Sequence, residues 1–343
     1  MNYANPASNS TAYQLANPLQ TTPVPSGTSG IWVTPQDYGA VGDGVTDDTA
    51  SIQNAIAGAH ALGCELHFQA CAHLVAGTLY VPAGLTIRGV PNWSMIQSTG
   101  SGPLLQLAAV SWPTNTITIE NLYLQGPWAG GSPDSTCAIL CNGTGDGSAY
   151  TRLAGLGIVG FSQGVDGCLS SGLIENCFIG SCYYPIRIGS TSNYTTIRGC
   201  KILGNTYGPY CLSGPIIENC DIEACTQEAI HIPVGGWVTD CHLEGNNTSI
   251  KGIVLGNGAY ISHNYFAGFG TAIYVDGVAY DMIIRENFFA GNTTNIDYGR
   301  SLGGGYLLMM ANYYLNGSNI SAGASGNYRE ITTANLVHDL VIP

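Results

Sequence analysis

A short phrase returns nine times along this chain and sharply limits what it can fold into. It reads IENLYLQG from Ile119, LAGLGIVG from Leu153, IENCFIGS from Ile174, IRGCKILG from Ile197 and IENCDIEA from Ile217. It continues as VTDCHLEG from Val238, ISHNYFAG from Ile261, IRENFFAG from Ile284 and MMANYYLN from Met309. The fourth position forms a column of Leu122, Leu156, Cys177, Cys200, Cys220, Cys241, Asn264, Asn287 and Asn312, at intervals of 34, 21, 23, 20, 21, 23, 23 and 25 residues. Short apolar strands at this period, with no helical pattern between them, specify a β-solenoid.

Each phrase has a physical meaning. An apolar residue points in (Ile174, Ile197, Ile217), a polar one points out, the chain kinks, and an apolar-polar-apolar strand follows. The kink column holds Asn121, Gly155, Asn176, Gly199, Asn219, Asp240 and His263, types that tolerate a left-handed backbone. Glu286 and Ala311 depart from that rule, so the last coils are expected to turn differently. A second strand column runs in the same phase: Ile186-Arg187-Ile188, Tyr210-Cys211-Leu212, Ile230-His231-Ile232, Ile253-Val254-Leu255, Ile273-Tyr274-Val275 and Ile296-Asp297-Tyr298. Two columns in one phase favour a coil over a sandwich of evenly spaced strands.

The 12 cysteines suggest a disulfide framework until they are placed on these columns. Cys177, Cys200, Cys220 and Cys241 then fall on consecutive inward positions as small stacked hydrophobes, and Cys182 and Cys225 sit on coils too far apart to bridge. No histidine pair stands at ligand spacing, so neither a zinc site nor any other metal is expected, and no cofactor. Free thiols point to folding in a reducing cytoplasm. A net charge of −13 argues against nucleic acid as a partner, and no apolar run is long enough to insert into a membrane.

Residues 1–30 are rich in Asn, Pro, Ser and Thr, lack the pattern of a secretory signal, and are expected to be an extended arm that orders on a partner. Then comes DYGAVGDGVTDDTASIQNAIAGAHALG, Asp37 to Gly63. Thr46, Asp47 and Asp48 suit a helix start, Ile52, Ile56, Ala59 and Leu62 follow at helical spacing, and Gly63 ends it. A helix near residues 47–62 would cap the open end of the solenoid core.

DYGAVGDGVTDDTASIQNAI, followed by LYVPAGLTIRGV from Leu79, resembles the opening of the pectate-lyase-like right-handed parallel β-helix superfamily. That superfamily includes pectin-degrading enzymes, polysaccharide epimerases and bacteriophage tailspike depolymerases. The resemblance covers about sixty residues and implies an all-β, right-handed parallel β-helix; it carries no active-site residue with it, since neither the paired-aspartate and Gly-His-Gly signatures of the polygalacturonases nor a lyase-type calcium cluster is seen. The β-helix is expected over 31–320, and 321–343 as a C-terminal cap or strand. The segment Pro127 to Asp146 interrupts the early coils, and its Trp128 is a candidate to stack on a sugar.

Chemistry is sought on the outward positions after the kink. One column runs Tyr123, Gly157, Phe178, Lys201, Asp221, His242, Tyr265, Phe288, Tyr313; the next holds Glu223 and Glu244 at its centre. A face both charged and aromatic suits oligosaccharide. Asp221, Glu223 and Glu244 are the candidate catalytic carboxylates, with Lys201, His242, Tyr265, His231 and Trp128 as substrate-binding residues. Glu223 and Glu244 stack on adjacent coils, which is expected to raise the pKa of one partner and suit it to act as an acid. Glu228, His231, Tyr274, Asp276 and Asp297 form a second group, taken as contacts, and Glu175, Arg198 and Glu218 a charge ladder.

The expected protein is thus tailspike-like, binding and cleaving a bacterial surface polysaccharide as a glycoside hydrolase or lyase. The alternatives are a non-catalytic glycan-binding or structural virion spike and a cellular polysaccharide lyase or epimerase. Outward aromatics and the low charge suggest a homotrimer, attached to the virion through the arm. It would act at the phage tail surface after synthesis in the host cytoplasm, or else be secreted.

Overall fold

A computed structural model describes residues 32–109, 116–141, 147–276, 282–298, 307–315 and 318–322 of the chain. The arm at 1–30 and the segment from 323 onward lie outside the described residues. Within them the chain is a right-handed parallel β-solenoid with one α-helix, Thr49–Leu62.

Each coil contributes one short strand to each of three parallel sheets. A representative coil runs Leu173–Glu175 in the first sheet, Phe178–Gly180 in the second and Tyr184–Ile188 in the third. Like residues lie over like: Ile174 pairs with Ile197, Ile179 with Ile202 and Ile186 with Val165. These inward side chains are buried in one continuous core. The second sheet follows the expected column without a slip, Tyr123↔Gly157↔Phe178↔Lys201↔Asp221↔His242↔Tyr265↔Phe288↔Tyr313. Period alone therefore placed the nine rungs from Tyr123 to Tyr313, though not the earlier ones such as Met95–Ser98 beneath them.

The kink between the first and second sheets is left-handed in all nine phrases, with φ between 51° and 60°. Glu286 at 54° and Ala311 at 51° turn like the rest, which corrects the expectation drawn from their side chains. The backbone explains why. The kink N–H groups from Asn121 to Glu286 each donate to a carbonyl one coil on, Asn176 to Arg198, Asp240 to Ser262 and Glu286 to Met310 among them. A hydrogen bond repeated along these coils outweighs the roughly 1–2 kcal/mol that an L-residue loses in this conformation.

The inward column beside the kink changes from thiol to amide, but the slot is the same. Cys177, Cys200, Cys220 and Cys241 donate Sγ–H to the carbonyls of Leu153, Ile174, Ile197 and Ile217 on the coil before. Asn264, Asn287 and Asn312 send Nδ2 to Val238, Ile261 and Ile284, in the same geometry. The cysteines are free and buried, as expected, and so are Cys182 and Cys225. Burial pushes the thiols of Cys182 and Cys225 up to about 12, so they stay protonated and inert.

The helix covers the end of the core, but two of its residues are placed differently than the sequence suggested. Ala55 joins Ile52, Ile56 and Ala59 in the core, whereas Leu62 is 47% exposed. At the start it is Asp47 that accepts the Thr49 N–H, at 3.0 Å. Asp48, the residue before the helix, turns inward instead. Its carboxylate accepts the N–H groups of Val41 and Gly42 at 2.7 and 2.9 Å and lies 2.6 Å from His73 Nδ1, both side chains buried. A buried carboxylate is tolerable only when so satisfied. Gly63 closes the helix at φ 63°, as read from the sequence.

The charge ladder on the first sheet is longer than expected and displaced. It runs Glu65–Arg88–Glu120–Arg152–Glu175–Arg198, with contacts of 2.9, 2.6, 3.1, 2.6 and 2.7 Å. Arg198 and then Arg152 hold Glu175 below the usual carboxylate range. Glu218 makes no ion pair among the described residues. Above it the same sheet becomes apolar outside, with Ile216, Trp237, Tyr260 and Ile283 on successive coils.

Candidate functional site

Two neighbouring faces carry chemistry. On the second sheet, Lys201, Asp221 and His242 stand on consecutive coils, and Glu223 lies two residues beyond Asp221 on the same strand. Lys201 Nζ is 2.5 Å from Asp221 and 3.3 Å from Glu223. His242 Nδ1 is 3.1 Å from Asp221 and 3.9 Å from Glu223. Partial burial pushes the Asp221 carboxyl up, but hydrogen bonds from Lys201, His242 and Glu223 outweigh it and leave the pKa lowered. An Asp221 held ionised is suited to be a base or a counter-ion. Asp221, Glu223 and His242 bring ligand-type atoms within 4.8 Å of one another, a set that could hold a cation, yet the Lys201 ammonium already supplies positive charge there.

Of the three carboxylates singled out in the sequence, the structure thus joins Asp221 and Glu223. Glu244 pairs in register with Glu223 one coil on, is exposed, and makes no hydrogen bond or ion pair through its side chain among the described residues. Beyond the charges the face is aromatic. His242 stacks on Tyr265, Tyr265 on Phe288 and Phe288 on Tyr313, with centroids 5.0, 5.4 and 4.8 Å apart.

The third sheet and the corner leading into it hold a denser arrangement. The segment from Pro127 does not interrupt the coils throughout as expected, because Cys137–Cys141 within it is a regular third-sheet strand paired with Pro103–Leu107 and Gln163–Gly167. Trp128, on the long corner before that strand, is half-buried with its edge toward Tyr183 at 6.3 Å, and its Nε1–H donates to the Ser132 carbonyl. Tyr183 meets Tyr207 at 5.6 Å, Tyr207 stacks on Tyr184 at 4.9 Å, and Tyr184 meets Tyr210 at 5.5 Å. Tyr210 lies flat on His231, 4.1 Å between centroids and 4° between planes. The tyrosines and His231 are thus continuous over three coils, and Trp128 reaches them from a loop two coils earlier.

Charged groups frame this wall. Arg187 makes two 2.7 Å hydrogen bonds to Asp166 one coil before it. His231 Nδ1 is 2.8 Å from Glu228, and Lys251 follows Glu228 in register. A carboxylate at Nδ1 fixes the imidazole tautomer and leaves the Nε2 lone pair as acceptor. Burial first, and then the Glu228 charge, raise the Tyr210 phenol, so it remains a proton donor. His231 and Trp128 were singled out in the sequence, but the tyrosines between them were not. Their signal is weak: Tyr183, Tyr184 and Tyr207 sit in or beside corners of unequal length, where column arithmetic stops.

Comparison with known proteins agrees with the fold. A family model described as rhamnogalacturonase A/epimerase, pectate lyase-like, matches residues 32–125, and one for the right-handed β-helix region matches 108–266. The tail spike protein of Shigella phage Sf6 is 38% identical over 98 residues, 26% of this chain and 16% of that protein. A capsule-specific depolymerase of Klebsiella phage K5-2 is 27% identical over 266 residues, 76% of this chain and 28% of that protein. The chain therefore spans under a third of the length of these relatives. Among solved structures, the Dettilon tailspike superposes with a TM-score of 0.63 at 16% identity, over 85% of this chain and 68% of that one.

Proposed function

From a chain that is a pectate-lyase-like right-handed parallel β-helix, we propose a protein that binds and cleaves a bacterial surface polysaccharide, as the β-helix of a phage tailspike. The observation that carries this is the continuous ring wall from Trp128 to His231, with Glu228 behind it. Sugar rings present apolar faces that stack on aromatic rings, and each such platform accepts one residue of an extended glycan. Cleavage of a glycosidic bond by hydrolysis or elimination needs a base for a proton and an acid for the leaving oxygen. His231 Nε2 supplies the first and the Tyr210 hydroxyl the second. The pair lies on rigid strands rather than on loops.

A second reading places the chemistry on the neighbouring face, where Asp221 and Glu223 converge on His242 and Glu244 stands one coil away. The lowered Asp221 speaks against it as the acid. The discriminating experiment is incubation with host capsular polysaccharide, assayed for new reducing ends and for unsaturated products. The double variant Asp221→Asn, Glu223→Gln is expected to keep turnover within about threefold, far short of the roughly 10²-fold or greater loss that follows removal of a positioned acid or base. A loss of that size in the double variant would move catalysis to the second sheet. Binding with no product in any assay would leave a glycan-binding spike.

The same proposal includes a homotrimer at the virion surface. Ile216, Trp237, Tyr260 and Ile283 make an outward apolar strip on the first sheet, with Trp237 58% exposed. A strip of that kind favours burial between copies. Light scattering at micromolar concentration should give three times the chain mass, and a stable monomer would rule the trimer out.

A further inference from the structure

The groove proposed above leaves the charge of its substrate open, and one side chain on the same face decides it. Among the described residues, Arg88, Arg152, Arg187, Arg198, Lys201 and Arg285 all lie against carboxylates. Lys251 is different. It has no carboxylate partner among them, and its ammonium sits 3.7 Å above the centre of the Tyr274 ring. Such a contact holds the stem in place without neutralising the charge.

Its position gives that charge a use. Lys251 follows Glu228 by one coil on the edge column of the third sheet, and His231 and Tyr274 occupy the column beside it. Successive coils are about 4.8 Å apart, close to the span of one sugar unit. A sugar lying along the outward edges of Tyr210 and His231, whose faces cover each other, would therefore have a neighbour or a substituent within reach of Lys251. The chain carries a net charge of −13, so its general field repels a polyanion. A cation that no carboxylate among the described residues claims, placed at the end of an aromatic wall, is suited to admit one.

We propose that Lys251 is a specificity-determining residue of this groove, donating hydrogen bonds to the carboxylate of an acidic sugar, so that the substrate class is an acidic polysaccharide. This rests on the third-sheet groove being the glycan site. A carboxylate held by an ammonium gains a charge-assisted hydrogen bond, and removing it costs about tenfold or more in affinity. The neutral form of the same sugar gains nothing from Lys251.

The test measures binding of purified uronate-bearing bacterial capsular polysaccharides by biolayer interferometry, each in its native form and after reduction of its carboxyl groups to neutral hexose. The unaltered protein should bind a native polymer about tenfold more tightly than the reduced one. Lys251→Met should lose that advantage on the native polymer and bind the reduced polymer unchanged, which also shows that the variant is folded. Tyr210→Ala should weaken both forms. Equal binding of native and reduced polymer by the unaltered protein, or discrimination retained in Lys251→Met, overturns the assignment of Lys251 while leaving the groove in place. Unchanged binding of both forms by Tyr210→Ala, or no binding by the unaltered protein, overturns the groove itself and Lys251 with it.

Discussion

Replacing His231 with alanine is expected to slow polysaccharide cleavage by about 10²–10⁴-fold, the share usually carried by a positioned base. His231 Nδ1 is tied to Glu228 at 2.8 Å, so the ring presents Nε2 in one orientation on a rigid strand. Glu228→Gln should act in the same direction but less strongly, because an amide can turn its oxygen to Nδ1–H and keep the tautomer while losing the charge. Folding should survive both changes, since His231 and Glu228 lie on the outer face and the core beneath them is Ile230 and Ile232. Affinity should fall only modestly in His231→Ala, by the loss of one stacking partner of Tyr210. Initial rates on host capsule, with binding and thermal unfolding measured alongside, check the three statements together. Turnover within threefold of the unaltered protein would remove His231 from the chemistry and return attention to Asp221, Glu223 and Glu244.

The coils were legible in the sequence because every inward position is constrained twice, by the coil below and by the coil above. Ile174, Ile197 and Ile217 must match in size and shape to stack, and that need writes a period into the chain. The kinks were legible only where the side chain advertised them. Glu286 shows that the backbone ladder sets the corner and the residue merely tolerates it. Leu62 misled for a related reason. Helical spacing marks a face, but the core ends before that face does.

The candidate site was legible in part, and the division has a physical cause. Outward residues on strands inherit the period, so the Lys201–Asp221–His242 column could be drawn without coordinates, and its register proved correct. Side chains at corners inherit nothing. Tyr183 and Tyr207 reach the wall from turns of different length, and Trp128 arrives from the long corner between Tyr123–Gln125 and Cys137–Cys141. Only packing brings these rings together. A site built from corners is thus the one a column argument misses, and the one free to vary without disturbing the coil.

The other large effect is expected in the core, at Asn287→Leu. Asn287 is 1% exposed and makes four hydrogen bonds through its side chain. Its Oδ1 accepts the backbone N–H of Asn264 at 3.0 Å and Asn264 Nδ2 at 3.0 Å. Its Nδ2 donates to the Ile261 carbonyl at 3.0 Å and to Asn312 Oδ1 at 3.1 Å. Leucine keeps the branching and the number of side-chain heavy atoms but is bulkier, so the change opens no cavity and adds crowding to the polar loss. Asn264 Nδ2 keeps Val238 as a partner and Asn312 Oδ1 keeps the Asn287 N–H, but the buried Asn264 N–H is left with no acceptor. One orphaned donor costs about 1–3 kcal/mol, and the lost bonds add to it, giving a destabilisation of about 3–5 kcal/mol. Cys200→Ala, in the equivalent slot lower in the coil, removes only a weak thiol donor and a small volume and should cost about 1 kcal/mol. Guanidinium unfolding of the two variants beside the unaltered protein reads the difference. In a solenoid each coil is held mainly by its neighbours, so the loss at Asn287 should also appear as faster proteolysis of the coils from Ile261 to Asn312, with those near Ile174 unaffected. Equal midpoints for Asn287→Leu and Cys200→Ala would show that the amide column is only filling space.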